Sequence, residues 1–412
     1  LLAGGWDTQQ WQGHLDQMRI EDSRLGQWQT RTPSSLLLSS QQIQLGQLQL
    51  TDSENGSISL QGKYLPAETL GEGLVDWQGV DLRLFNPWLN DVQLNGFSSG
   101  SFALQQQKQQ QLRGQITWQG EIRSPQQTCS FAQADWSGDW GEHGLSSTFA
   151  LLLADGGQLH AVLDNDEPFS SRWPSQLHVQ LHGADFPLLR AQTWLPPGLN
   201  LTGKLHLQTE GLWFPDRPWQ LSGTAEVNNG KCSWQENEEL ISTELTIALL
   251  HWVWHEQLVG ELELQLADRG HFDADVSLPI PAHWPVSVMP DEPLNGEVTM
   301  RLQELGLFSV LFPERVQESS GQLKVDLKLG GIGQKPLLQG DVRLFDGRAF
   351  LPKQGIQLNN IELYGCFDEQ QFSLRNLQIR SGDGSLSGVG EVQLANWQPQ
   401  RYHLTLIGSN FQ

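Results

Sequence analysis

The chain has 412 residues, a formal net charge of −22 at neutral pH and a pI near 4.8. That acidity argues against nucleic acid and against anionic membrane surfaces as partners, because both attract Lys and Arg. A single compact domain rarely exceeds about 250–300 residues, and no Ser/Gly run, Pro block or charge block marks a linker, so the chain reads as an elongated repeat array.

Residues 1 to 75 alternate weakly, with QIQLGQLQL and GSISLQGKY as the clearest strands and WDTQQWQGHLDQMRI as a strand pair around Gly13. Strands are predicted near 97–104, 111–119, 129–136, 146–153, 158–163 and 175–182, then in LTGKLHLQT, STELTIALL and LVGELELQLA. QQQKQQQ around Lys108 reads as a hairpin loop. The stretch from Leu294 to Leu394 shows the building unit most plainly. Leu323, Val325, Leu327 and Leu329 fall at every second position, with Lys324, Asp326 and Lys328 between them. Side chains two apart on a strand share a face, so this strand has one apolar and one charged side. Val342 and Leu344 fall in the same phase, and so do Phe372, Leu374, Leu404 and Leu406. These ten residues are the expected lining of a groove.

The pattern recurs. VDLRLFNPWLNDVQLNGFSSGSFALQ, VQLHGADFPLLRAQTWLPPGLNLTGKLHLQ and MRLQELGLFSVLFPERVQESSGQLKVDLKL each join a strand end to a short apolar segment containing proline and then to a new alternating strand. Gly100, Gly203 and Gly321 are expected to open those strands, and Gly114, Gly223 and Gly340 to open the ones after. This is a degenerate repeat, divided as a partial unit over 1–79, units over 80–182 and 183–303, and a truncated unit over 304–412. Turns this short fit antiparallel neighbours. Three short helices are expected, near Leu84–Leu89, Phe186–Leu195 and Leu305–Val316, too few to cover the strands. The fold expected is therefore all-β, an elongated, lengthwise-open groove of antiparallel strands with a few short rim helices. An open apolar trough of this length marks a binding surface.

No chemistry of catalysis stands out. His178 and His182 share a strand face but no third ligand is placed for a metal. Asp164–Pro168 reads as a solvated turn and Glu236–Leu240 as a charged hairpin edge. The glycines of SGDGSLSGVG precede no helix, which argues against a phosphate loop. Cys129, Cys232 and Cys366 form no CxxC pair, so neither a disulfide framework nor a zinc site is indicated. No enzyme, metal or cofactor is expected. The 17 tryptophans raise polysaccharide binding, but no short coil period is present, and Trp77, Trp118, Trp219 and Trp234 fall in or beside alternating runs as wall or rim residues. No run reaches the roughly 20 apolar residues that span a bilayer. IALLHWVW is interrupted by His251, and the pattern is already under way at the first residues and still running at the last, as in a fragment.

GQLKVDLKLGGIGQKPLLQGDVRLFDGRA, GIQLNNIEL and LQIRSGDGSLSGVGEV, with the W-x-G elements WQGHLDQM and WSGDWGEH, resemble the TamB and AsmA-like family of Gram-negative envelopes. The likeness covers most of the chain. It implies a taco-like groove lined with aliphatic side chains, in the periplasm, held at the inner membrane by a segment absent from this chain. It also implies carriage of phospholipid between the inner and outer membranes, support of outer-membrane protein assembly, and an outer-membrane β-barrel partner of the TamA type contacted through other regions. Energetics agree with lipid as ligand. Each buried CH₂ contributes roughly 0.8 kcal/mol, so a sixteen-carbon chain gains on the order of 12 kcal/mol on leaving water. A passive β-scaffold, an adhesin or a polysaccharide-binding β-solenoid remain the alternatives.

Overall fold

The computed structural model describes residues 1–22, 26–68, 70–89, 91–106, 110–125, 128–170, 172–189, 199–236, 239–267, 269–306, 309, 315–395 and 398–410. The chain is all-β, and every pairing between described strands is antiparallel. Contacts divide it into two units, Leu1–Gly183 and Ala184–Gln412.

The first unit opens with six strands: β1 (Leu2–Asp7), β2 (Gln10–Leu15), β3 (Arg19–Asp22), β4 (Gly26–Thr30), β5 (Ser34–Ser39) and β6 (Ile43–Asp52). They branch. The start of β6 pairs with β5, which pairs with β2 and so with β1, while the end of β6 pairs with β4 and so with β3. The β1–β2 pair turns at Thr8–Gln9, correcting the expectation of a turn about Gly13. Gly13 instead lies opposite Gly4 inside the pair, where the Trp11 ring occupies the space a side chain would need.

From β6 a regular meander continues through β7 (Ser57–Leu65), β8 (Leu70–Asp81), β9 (Gln93–Gln106), β10 (Gln110–Arg123), β11 (Thr128–Gly141), β12 (Gly144–Leu153) and β13 (Gln158–Asn165). These include the strands expected from alternation between 97 and 163. β14 (Leu177–Pro187) runs across the division between the units. The apolar segment between β8 and β9 is a 3-10 helix, Leu82–Trp88, at the place of the first expected rim helix. Pro87 lies inside it, and the Asp81 carboxylate caps its start by accepting from the Arg83 N–H at 2.8 Å. The other two expected helices, Phe186–Leu195 and Leu305–Val316, lie largely outside the described residues, as does the tip of the loop at Lys108.

The second unit is an uninterrupted meander. Its strands are β15 (Leu199–Trp213), β16 (Gln220–Glu236), β17 (Glu239–Trp254), β18 (Leu258–Leu266), β19 (Gly270–Leu278), β20 (Asn295–Leu305), β21 (Gln317–Ile332), β22 (Lys335–Leu351), β23 (Ile356–Glu369), β24 (Gln371–Ser381), β25 (Gly384–Ala395) and β26 (Gln398–Ser409). Among the described residues no pairing closes either sheet on itself, and no second layer of elements packs on either face.

Glycines expected to open strands lie inside them. Gly203 and Gly321 sit at bulges with φ of +136° and +151°, a conformation only glycine adopts without strain. Gly100, Gly114 and Gly223 are overlaid by aromatic rings. The buried apolar cluster is small: Trp28, Leu50 and Val80, with Met18, Ile20, Ile58, Trp77 and Leu84 packed around them at the branch in the first unit.

Candidate ligand-binding face

Opposite residues in an antiparallel pair share a face, so register converts local alternation into rows across the second unit. One row runs Leu245, Leu266, Gly270, Leu302, Leu323, Leu344 and Leu363, then Leu377, Gly388 and Leu406. The next runs Ala248, Leu264, Phe272, Met300, Val325 and Val342, then Gly365, Leu374, Gly390 and Leu404. A third carries Leu250, Leu262, Ala274, Val298, Leu327 and Gly340, then Phe367, Phe372 and Val392. A fourth joins Trp252, Gly260, Val276, Gly296, Leu329 and Leu338. All ten residues singled out from the sequence thus lie in these four rows on one face. Val325 is buried, Leu404 and Leu406 are exposed on β26, and the other seven are half-buried.

Sequence reasoning missed the earlier halves of these rows, although LVGELELQLA carries Leu262, Leu264 and Leu266 in plain alternation. It had no signal for Gly365, Gly388 and Gly390. At these positions a neighbouring side chain occupies the space: Phe372 lies over Gly365, Leu406 over Gly388 and Leu404 over Gly390. The glycine interrupts the alternation in sequence but not the apolar surface.

The opposite face is charged. Lys324 lies opposite Arg343, and Asp326 opposite Asp341. Arg301 meets Asp326 at 2.6 Å, Lys328 meets Glu297 at 2.9 Å, and the Tyr364 hydroxyl donates to Asp341 at 3.0 Å. These are largely solvated pairs, worth about 0–1 kcal/mol each, and they orient the sheet by keeping this face in water.

In the first unit the corresponding face is aromatic. Trp77, Gly100, Ile116, Trp136, Phe149 and Ala161 form one row. Phe102 sits between Trp77 and Trp136, 5.7 Å from each ring centroid. A Cβ on Gly114 would lie 2.5 Å from Phe102 and 2.6 Å from Trp136, so the rings lie flat on glycine backbone. Each indole is tethered: Trp77 Nε1 donates to Ser98 Oγ at 2.9 Å and Trp136 Nε1 to Ser147 Oγ at 3.0 Å, and both serines are buried. Trp118 lies one row on, opposite Ser98 and Ala134. The other side of this sheet carries an open cleft of about 610 Å³, whose lining includes Ser59, Asp76, Ser101, Thr117, Asp135 and His160.

Each unit closes one end of its apolar face with a tryptophan. Trp140 packs edge-on against Phe169 at 4.9 Å and donates to the Glu167 carbonyl. Hydrogen bonds from Ser175 hold the Glu167 carboxyl below its ordinary pKa. In the second unit Trp254 packs edge-on against Trp219 at 6.1 Å and donates to the Ile280 carbonyl at 2.8 Å.

His178 Nδ1 lies 3.4 Å from Asp164, an ordinary surface pair. Among the described residues no group of three or more His, Cys, Asp or Glu is placed to hold a metal ion, and no helix is long and apolar enough to cross a membrane. The three cysteines are free. What the arrangement offers chemically is a strip of apolar surface, with the charged pairs of β20, β21 and β22 on its reverse.

Comparison with known proteins accords with this architecture. Residues 165–344 match the family described as TamB, N-terminal domain, a stretch that includes Leu323, Val325, Leu327, Leu329, Val342 and Leu344. Over 215 residues the chain is 22% identical to the translocation and assembly module subunit TamB of Haemophilus influenzae. The matched stretch is 52% of this chain and 16% of that protein, so the chain spans well under two thirds of the relative's length. No solved structure matches the chain. In the matched domain, the matched relative and the open antiparallel sheet, the chain is similar to TamB proteins.

Proposed function

We propose that the chain is a section of a periplasmic conduit that carries phospholipid acyl chains between the inner and outer membranes. The observation that carries this reading is the four-row apolar face of the second unit, uncovered by any second layer among the described residues. An uncovered face of this extent needs an apolar occupant, and acyl chains supply one without hydrogen bonds. The ten residues Leu323, Val325, Leu327, Leu329, Val342, Leu344, Phe372, Leu374, Leu404 and Leu406 are its proposed contacts. Headgroups lie beside the strip. Kinship with a translocation and assembly module subunit supports a non-catalytic transport or assembly role. It also supports a location in the periplasm with an inner-membrane anchor and an outer-membrane β-barrel partner of the TamA type, both engaged through other parts of the full-length protein. The same reading includes support of outer-membrane protein assembly.

The test is a block at one point of the strip. Val325→Arg with Leu344→Asp puts two charges in neighbouring rows, where an acyl chain would have to leave apolar surroundings at a cost of several kcal/mol. The expected result is a folded protein that still co-purifies with lipid but no longer supports lipid transfer or outer-membrane integrity in cells. Undiminished function of the folded double variant would overturn the conduit. Photo-crosslinkers at Leu327 and Phe372 are expected to capture lipid and those at Lys324 and Lys328 to capture none. A lipid-free, detergent-indifferent protein would instead favour a passive scaffold.

A further inference from the structure

At one end of the apolar face of the second unit, two buried side-chain polar atoms lack hydrogen-bond partners. Arg269 lies in the turn between β18 and β19, and its backbone is fixed on both sides. Its N–H donates to the Leu266 carbonyl at 2.7 Å, and its own carbonyl accepts from Gln303 at 2.6 Å. Its side chain reaches over the apolar face to Trp234 on β16, with the guanidinium carbon 5.8 Å from the ring centroid. Trp234 lies opposite Ile241 on β17, and Cys232 lies opposite Thr243. Thr243 therefore follows Ile241 on the same face, diagonal to the Trp234 ring.

Only three buried side-chain polar atoms among the described residues lack a hydrogen-bond partner: Ser34 Oγ in the first unit, and Thr243 Oγ1 and Arg269 Nη1 at this corner. Native structures pair nearly all such atoms, and an unpaired one points to an occupant. A guanidinium nitrogen and a hydroxyl are both donors, and both complement an oxyanion. Arg is the side chain whose planar fork matches a phosphate. Burial pushes the Cys232 thiol up from its ordinary pKa, so it stays neutral and adds no repelling charge. In a chain of net charge −22, a cation held half-buried against apolar surface is out of keeping with mere solubility.

We infer that Arg269 and Thr243 form a binding site for a phosphate oxyanion at the edge of the apolar face, beside Leu245 and Leu266. A lipid phosphodiester and inorganic phosphate share that chemistry. The lipid form rests on the proposed reading of the face as an acyl-chain surface.

The test is calorimetric titration of the purified chain with three probes: a lysophosphatidylglycerol below its critical micelle concentration, a monoacylglycerol of the same acyl chain, and inorganic phosphate. The lysophospholipid is expected to bind about tenfold more tightly than the monoacylglycerol, the gain of charge-assisted hydrogen bonds to a phosphate. Arg269→Gln is expected to erase that preference while leaving monoacylglycerol affinity unchanged. Thr243→Val is expected to reduce it about threefold and serves as the second variant where Arg269→Gln lowers stability in thermal melts. Arg269-dependent binding of inorganic phosphate with no gain from an acyl chain supports the site and assigns it to free phosphate. Equal affinity for the two lipids, with no Arg269-dependent phosphate binding, overturns the site and leaves the acyl-chain reading standing. Failure of both lipids together with Arg269-dependent phosphate binding does the reverse.

Discussion

The two units build an apolar face from the same alternation and arrive at different surfaces. In the first, Trp77, Phe102 and Trp136 lie flat over glycine backbone, and two of the three rings are tied to buried serines. In the second, rows made mostly of leucine and valine run from strand to strand, with aromatic rings over glycine at Gly223 (Trp252) and Gly365 (Phe372). A tethered ring on glycine is stiff, with its rotamers locked by the strand beneath. A leucine row retains rotamer freedom and adapts to what lies on it. The first unit also holds the buried cluster about Trp28, Leu50 and Val80.

The largest expected effect breaks the aromatic side of that contrast. Trp136→Ala removes a ring from the stack and leaves the buried Ser147 hydroxyl without its indole partner. We expect a loss of about 3–4 kcal/mol, read by urea denaturation. Leu344→Ala, at a half-buried site, should cost only about 1–2 kcal/mol. Equal costs would remove the distinction between a structural and a receptive face.

A smaller effect tests the glycines. Gly114→Ala drives a methyl into Phe102 and Trp136, whereas a Cβ on Gly260 meets nothing nearer than 3.8 Å. The first should cost about 2 kcal/mol. The second should change stability by less than about 0.5 kcal/mol. If Gly114→Ala is as mild as Gly260→Ala, the rings are not seated on backbone.

The smallest effect concerns the cap of the 3-10 helix that shields the buried cluster of the first unit. Burial of the Asp81 carboxyl acts to raise its pKa. The hydrogen bonds and charge of Arg83 outweigh it and hold the carboxyl below its ordinary value. A carboxylate depressed in the folded state adds stability above its unfolded pKa of about 3.9 and loses it as pH falls through the lower folded value. Asp81→Asn, which retains an amide oxygen for the cap, should therefore lower the melting temperature at neutral pH and converge with the unaltered protein in acid. Asp81→Ala should cost about 1 kcal/mol at neutral pH. A difference that persists unchanged in strong acid would show that the carboxylate charge is not involved.

What the sequence by itself determined follows from the two-residue period of a strand. That period is local, so alternation in GQLKVDLKLG, LQGDVRLFDG and QFSLRNLQIR was enough to call the all-β class, the short turns and the phase of Leu323, Val325, Val342 and Phe372. It also located the helical interruption before β9. Only the tertiary structure decided which residue faces which, because register is a relation between strands that no single strand encodes. Gly365 and Gly388 belong to apolar rows only because Phe372 and Leu406 reach across from the next strand, and Gly203 and Gly321 turned out to be bulges and not strand starts. The division of β6 between β4 and β5 depends on contacts distant in sequence, and so does the meeting of Arg269 with Trp234 from β16. Alternation says that a side chain points to one face, and pairing alone says what it meets there.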